Sequence, residues 1–155
     1  MKSIWGITIV LFYLVGPTKD GLFMPRKGKC PFRGGVMRKL TDHRGVVVGP
    51  GESTVDIDGT DSLVLSATDG WVKDVIPMQD ILYITIRTDT TVYAYADIDR
   101  PLVSEGQRII AGQPIAIARQ NRIEFYVSNY LGQIFRNPAA YVDCICELPK
   151  EKPEN

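Results

Sequence analysis

The chain reads as a succession of short alternating apolar and polar runs, broken by glycine, proline and aspartate. The clearest is Asn121-Arg122-Ile123-Glu124-Phe125-Tyr126-Val127, where Ile123, Phe125 and Val127 alternate with Arg122, Glu124 and Tyr126. Period two is the signature of a β-strand with one face toward a core. An arginine, a carboxylate and a phenol on the other face make either a solvated edge or a site. Ile81 to Arg87 alternates as plainly, with Leu82, Ile84 and Ile86 on one face; Asp89-Thr90 is predicted to turn, and Thr91 to Asp97 to return as its hairpin partner. Shorter strands are predicted at Val46-Val47-Val48, closed by Gly49-Pro50-Gly51, and at Val55-Asp56-Ile57, closed by Asp58-Gly59. Ser62 to Thr68 alternates more weakly, and Asp69-Gly70 turns into Trp71 to Ile76. Gly106 and Gly112 mark successive tight turns. Asn129 to Gln133 and Asn137 to Val142 read as turns, and no segment of helical period stands between residues 45 and 135. The expectation is an all-β, mostly antiparallel domain rich in turns.

The N-terminus breaks this pattern. After Met1-Lys2-Ser3, Ile4 to Gly16 is almost unbroken apolar sequence. That is short for a membrane span, which needs about 20 residues, and suits the apolar core of a signal peptide. The cleavage signal is poor, because Leu14 and Gly16 fill its two small-residue places and Pro17 follows. Residues 1–20 are therefore expected to be a signal peptide or an N-terminal membrane anchor, so that the chain is exported and either periplasmic or held at the cell envelope. Residues 21–29 read as a linker, 30–148 as the β domain and 149–155 as a flexible, charged tail.

Composition narrows the function. The chain has 155 residues and a formal net charge of zero, so one cored domain is expected and nucleic acid is not an expected partner. There is a single histidine, His43, which excludes most histidine-based hydrolase sites.

In order and spacing, several phrases resemble the lysostaphin-type (LytM-like) zinc metallopeptidases, the murein endopeptidase family. They are Val55-Asp56-Ile57, Thr68-Asp69-Gly70-Trp71-Val72, Thr91-Val92-Tyr93-Ala94-Tyr95, Val103 to Ile115 with its Glu-Gly-Gln and Ala-Gly-Gln-Pro, Arg122 to Val127, and Asn137 to Val142. The Glu-Gly-Gln and Ala-Gly-Gln-Pro phrases also occur in biotinyl- and lipoyl-type domains, but no Met-Lys-Met or Asp-Lys-Ala attachment motif is present. The resemblance implies a β-sandwich of the duplicated hybrid motif type. It also implies a zinc site built from His-x-x-x-Asp and the second His of a His-x-His pair, with further histidines assisting proton transfer. Carried over by position, only Asp56 survives. Glu52 stands for the first ligand histidine, Arg122 and Glu124 for the His-x-His pair, and Tyr95 for the histidine of the Tyr-x-His phrase, while Tyr93 keeps the family tyrosine. Three carboxylates suit zinc poorly, and a protonated arginine cannot act as a base.

The resemblance therefore implies a non-catalytic member that needs no zinc. Its role would be that of a regulator, scaffold or binding module in the bacterial cell envelope, with an envelope protein or a peptidoglycan fragment as partner. The alternative is an active peptidoglycan endopeptidase with an unusual metal site. Three readings of the pocket stay open: an ion-pair plug in which Arg122 neutralises Glu52, Asp56 and Glu124; a retained groove lined by Tyr93, Tyr95 and Tyr126; and a hard-cation site. Of the cysteines, Cys144 and Cys146 are too constrained to bond easily to each other; in an exported chain Cys30 is expected to pair with one of them.

Overall fold

A computed structural model gives the fold and describes residues 27–38, 54–133 and 138–146. The strand expected at Val46–Val48, together with Glu52, His43 and both termini, lies outside the described residues.

The strands begin with β1 (Gly28–Lys29), β2 (Val36–Arg38), β3 (Val55–Asp58) and β4 (Leu63–Leu65). The long antiparallel run follows as β5 (Gly70–Met78), β6 (Ile81–Arg87) and β7 (Thr91–Pro101). The chain continues through β8 (Arg108–Ile109), β9 (Pro114–Ala118) and β10 (Arg122–Asn129), and ends with β11 (Val142–Asp143) and β12 (Ile145–Cys146). Among the described residues, helix is confined to two short 3-10 turns, Arg119–Asn121 and Pro138–Tyr141. The all-β expectation holds. Among the described residues the first strand is at Gly28, inside the span read as linker, where β1 pairs in parallel with β11. Gly70 begins β5 rather than closing a turn, and a Cβ there would lie 2.4 Å from the Arg87 carbonyl oxygen, so only glycine lets β5 approach β6 this closely.

The main sheet runs β12-β2-β3-β10-β7-β6-β5-β8, and the β4–β9 ladder joins it through β7. β7 makes the connection possible because it is long and bent. Its first half pairs with β10 and β6, its end with β9, and the register shifts between Ile98 and Arg100. Asp97, at φ 61°, stands beside that shift in a backbone region that aspartate tolerates better than most residues. The β4–β9 layer is thereby folded over the inner face of the sheet. Ile57, Ile84, Ile86, Ile123, Phe125 and Val127 meet Val64, Ile115 and Ala116 in one core. Each large side chain buried this way is worth about 1.5–3 kcal/mol. Gly106 and Gly112 take φ of 80° and 87° in the two turns predicted for them.

The free edge of β5 is closed to further strand pairing. The Val75 N–H points away from β6 and donates to the Glu105 carboxylate at 3.0 Å, and Pro77, in the same outward register, has no N–H. A disulfide joins Cys30 to Cys144 and ties the start of the domain to its last strands, leaving Cys146 free and exposed.

Candidate functional site

β10 lies between β3 and β7, and its alternation decides what each face carries. Ile123, Phe125 and Val127 are fully buried on the inner face. Arg122, Glu124 and Tyr126 therefore project from the outer face. Register supplies their neighbours. On β3, Asp58 stands opposite Arg122 and Asp56 opposite Glu124; on β7, Ala96 stands opposite Glu124 and Ala94 opposite Tyr126. The Gly59 N–H donates to the Asn121 carbonyl at 2.8 Å, which makes that pair hydrogen-bonded and, by alternation, makes Arg122–Asp58 and Glu124–Asp56 non-hydrogen-bonded pairs. Side chains approach more closely at such positions.

Arg122 makes a direct ionic contact with Asp58: the Arg122 Nε–H donates to Asp58 Oδ1 at 2.7 Å. Arg38, on β2, forms an ion pair with the other oxygen of Asp58. Arg122 is thus held by a carboxylate that the sequence reading left out, while Asp56 feels it only at longer range. Among the described residues, Asp56, Asp58, Asp97 and Glu124 face only Arg38 and Arg122. The surplus is negative, and two groups register it. Burial, with Asp58 and Asp97 nearby, raises the Asp56 carboxyl above its ordinary value in spite of Arg122 and Arg38. Burial also raises the Glu124 carboxyl, helped by Asp56 and Asp97 and opposed by a hydrogen bond from Thr54. The plug reading is narrowed accordingly: Arg122 is 45% exposed and its direct ion pair is with Asp58, so among the described residues Asp56 and Glu124 have no direct ion pair, and Arg122 acts on Asp56 only at longer range.

Two further expectations are corrected. Tyr95 stands opposite Phe125, so it belongs to the inner face; it is fully buried, its ring meets Phe125 edge-on at 5.4 Å, and its hydroxyl accepts the Ala67 N–H at 2.8 Å. Burial pushes its phenol far up, and it cannot line a groove. Tyr93 stands opposite Val127 on the same inner face and packs against Phe125 and Tyr141. Tyr126 alone of the three tyrosines reaches the outer face, near Tyr83, Glu124 and Asp74, where burial raises its phenol. Asp56, Arg122, Glu124 and Tyr126 are thus brought together, Tyr93 and Tyr95 are not, and Glu52 lies outside the described residues. The signal for Asp58 was present in Val55-Asp56-Ile57-Asp58, where period two puts both aspartates on one face.

The donor set does not fit zinc. Its described members are carboxylates only, with a guanidinium among them, and no three His, Cys, Asp or Glu side chains of the described residues converge to hold a metal ion. General-base work at Arg122 is excluded by its permanent charge, which the Asp58 contact strengthens.

No protein-family model matches the chain, and no curated protein does. Solved structures do. The catalytic domain of the prophage-encoded M23 protein EnpA from Enterococcus faecalis superposes with TM-score 0.55 at 18% identity, over 78% of this chain and 98% of that one. A chain of the SpoIIQ–SpoIIIAH pore-forming complex gives 0.58 at 13% identity, over 76% and 91%. Lysostaphin gives 0.51 at 12% identity, over 81% of this chain and 56% of its own. Two other matched chains are covered over only 64% and 31% of their length. The domain has the lysostaphin-type, LytM-like peptidase fold.

Proposed function

We propose that this is a peptidase-fold domain that no longer cuts, and that it serves the bacterial cell envelope as a binding or scaffolding module. One observation carries the reading. On the strand where the resembled family places its His-x-His pair, this chain has Arg122 and Glu124, and Arg122 is committed to Asp58 in a direct contact. No proton acceptor remains at the first position, and the second, where the family places its zinc-binding imidazole, holds a carboxylate. The partner is an envelope protein or a peptidoglycan fragment, and the Asp56–Glu124 pair, without a direct ion pair among the described residues, favours a partner that brings positive charge to this face. The likeness in fold to a chain of the SpoIIQ–SpoIIIAH complex, a protein–protein assembly, supports a protein partner. The Cys30–Cys144 disulfide supports an oxidising compartment, in keeping with export directed by residues 1–20.

The test is zinc titration of the purified chain beside a Glu52→His/Arg122→His/Glu124→His variant. The variant is expected to take up one zinc ion per chain and the natural sequence none. Stoichiometric zinc in the natural sequence would overturn the reading. Co-sedimentation with isolated cell-wall sacculi and with envelope membranes tests the binding role, and retention by neither would remove it.

A further inference from the structure

The same outer face carries a second feature at its far end, on β5 and β8. Trp71 is 45% exposed and stands in register between Arg87 on β6 and Arg108 on β8. Beside it Asp69, Gly70, Thr88, Asp89 and Arg108 complete a cavity of about 210 Å³. The walls are built before any ligand arrives. Asp69 Oδ1 accepts the Ala111 N–H at 2.7 Å, which leaves its second oxygen available. The turn carrying Asp89 is tied by the Thr88 N–H to the Thr91 carbonyl at 2.8 Å and by the Thr91 N–H to Thr88 Oγ1 at 3.0 Å. The close approach of β5 to β6 at Gly70 holds the backbone next to Trp71.

What the walls lack is a use for their charges. Arg108 and Asp89 are of opposite sign and line the same cavity, yet neither side chain makes an ion pair or hydrogen bond with another described residue. An exposed indole beside an uncommitted guanidinium and an uncommitted carboxylate is a recognition surface. The two signs together favour neither an anion nor a cation. They suit a neutral ring with hydroxyls that donate to carboxylate oxygens and accept from a guanidinium, while its C–H face lies on the indole. The cavity has room for one such ring and falls below the size usual for larger ligands.

We propose that Trp71, Asp89 and Arg108, with the second oxygen of Asp69, form a subsite for one sugar unit of a glycan. The inference does not rest on the loss of catalysis at Arg122, since a glycan subsite serves a cutting and a non-cutting domain equally.

The test is titration of the full-length, uniformly ¹⁵N-labelled chain with a soluble β-1,4-linked N-acetylglucosamine tetramer, following the Trp71 indole N–H by NMR. A cell-wall stem tripeptide is titrated in parallel. The tetramer is expected to shift the Trp71 resonance and the tripeptide to leave it in place. Trp71→Ala, Asp89→Asn and Arg108→Gln are each expected to weaken binding by about tenfold, and Arg100→Gln, at an exposed position outside the cavity, to leave it unchanged. Asp89 lies on an exposed turn, so Asp89→Asn keeps the proposal falsifiable should Trp71→Ala fold poorly. An unmoved Trp71 resonance, equal affinity in Asp89→Asn, or preference for the tripeptide would each overturn the proposal.

Discussion

Replacing Glu124 with glutamine should stabilise this domain at neutral pH. Glu124 and Asp56 stand directly opposite each other at a non-hydrogen-bonded position of the β3–β10 ladder. Like charges so placed are destabilising, and cross-strand pairs of this kind are worth about 0.2–1 kcal/mol. Glu124 is about half buried, its carboxyl is raised, and the causes are burial, Asp56 and Asp97. Glutamine keeps the length of the side chain and an oxygen for Thr54, but removes the charge. Discounting for solvent screening of half-exposed groups, the gain should be about 0.2–0.5 kcal/mol at pH 7, or roughly 1–2 °C in Tm. The sign with pH is fixed by linkage. A carboxyl raised in the folded state adds stability that is fully present below its unfolded value of 4.5 and is lost as pH rises through the folded value. The advantage of Glu124→Gln should therefore be full at pH 7 and vanish below about pH 4. Thermal denaturation followed by circular dichroism at pH 3.5 and 7.5 measures both. Asp56→Asn should behave likewise, and in the double variant the second substitution should gain less than it does alone. A Glu124→Gln protein that is less stable at pH 7.5, or a gain equal at both pH values, would refute the account of the site as a surplus of negative charge.

Three further outcomes follow from the same geometry. Arg122→Ala should cost only about 0.2–1 kcal/mol in urea denaturation, because Arg122 is 45% exposed and Arg38 still forms an ion pair with Asp58; a loss near the roughly 3–5 kcal/mol typical of an uncompensated buried charge would contradict this. Tyr95→Phe should cost about 1–3 kcal/mol by leaving the buried Ala67 N–H without its acceptor, while Tyr126→Phe, on the outer face, should stay within about 0.5 kcal/mol. Native protein should present one reactive thiol, Cys146, and reduction of the Cys30–Cys144 bond, which spans 114 residues, should lower stability by about 2–5 kcal/mol; three accessible thiols in oxidised native protein would exclude that pairing.

The strands were legible because alternation survives burial. Ile123, Phe125 and Val127 face inward as their spacing demands, and the hairpin from Ile81 follows its turn at Asp89-Thr90. What alternation does not carry is register between distant strands. Asp58 could be placed on the face of Asp56, but only the pairing of Ile57 with Ile123 brings it opposite Arg122. Tyr95 was misplaced for a related reason: matching it to a family histidine fixed its position along β7 and not its face, and pairing with Phe125 turns it inward. Arg38 went unread because β2 is three residues long and has no periodic run to announce it. The Trp71 cavity is assembled from β5, β8 and two separate turns, a contact pattern that no local phrase contains.

The central claim is tested most directly by incubating purified, zinc-supplemented protein with isolated peptidoglycan and measuring the release of soluble fragments. With Arg122 bound to Asp58 and, among the described residues, only oxygen ligands around it, release should not exceed that of the Glu124→Gln variant. Release well above that control, abolished by the variant and by a chelator, would contradict the claim and restore the domain to the peptidases.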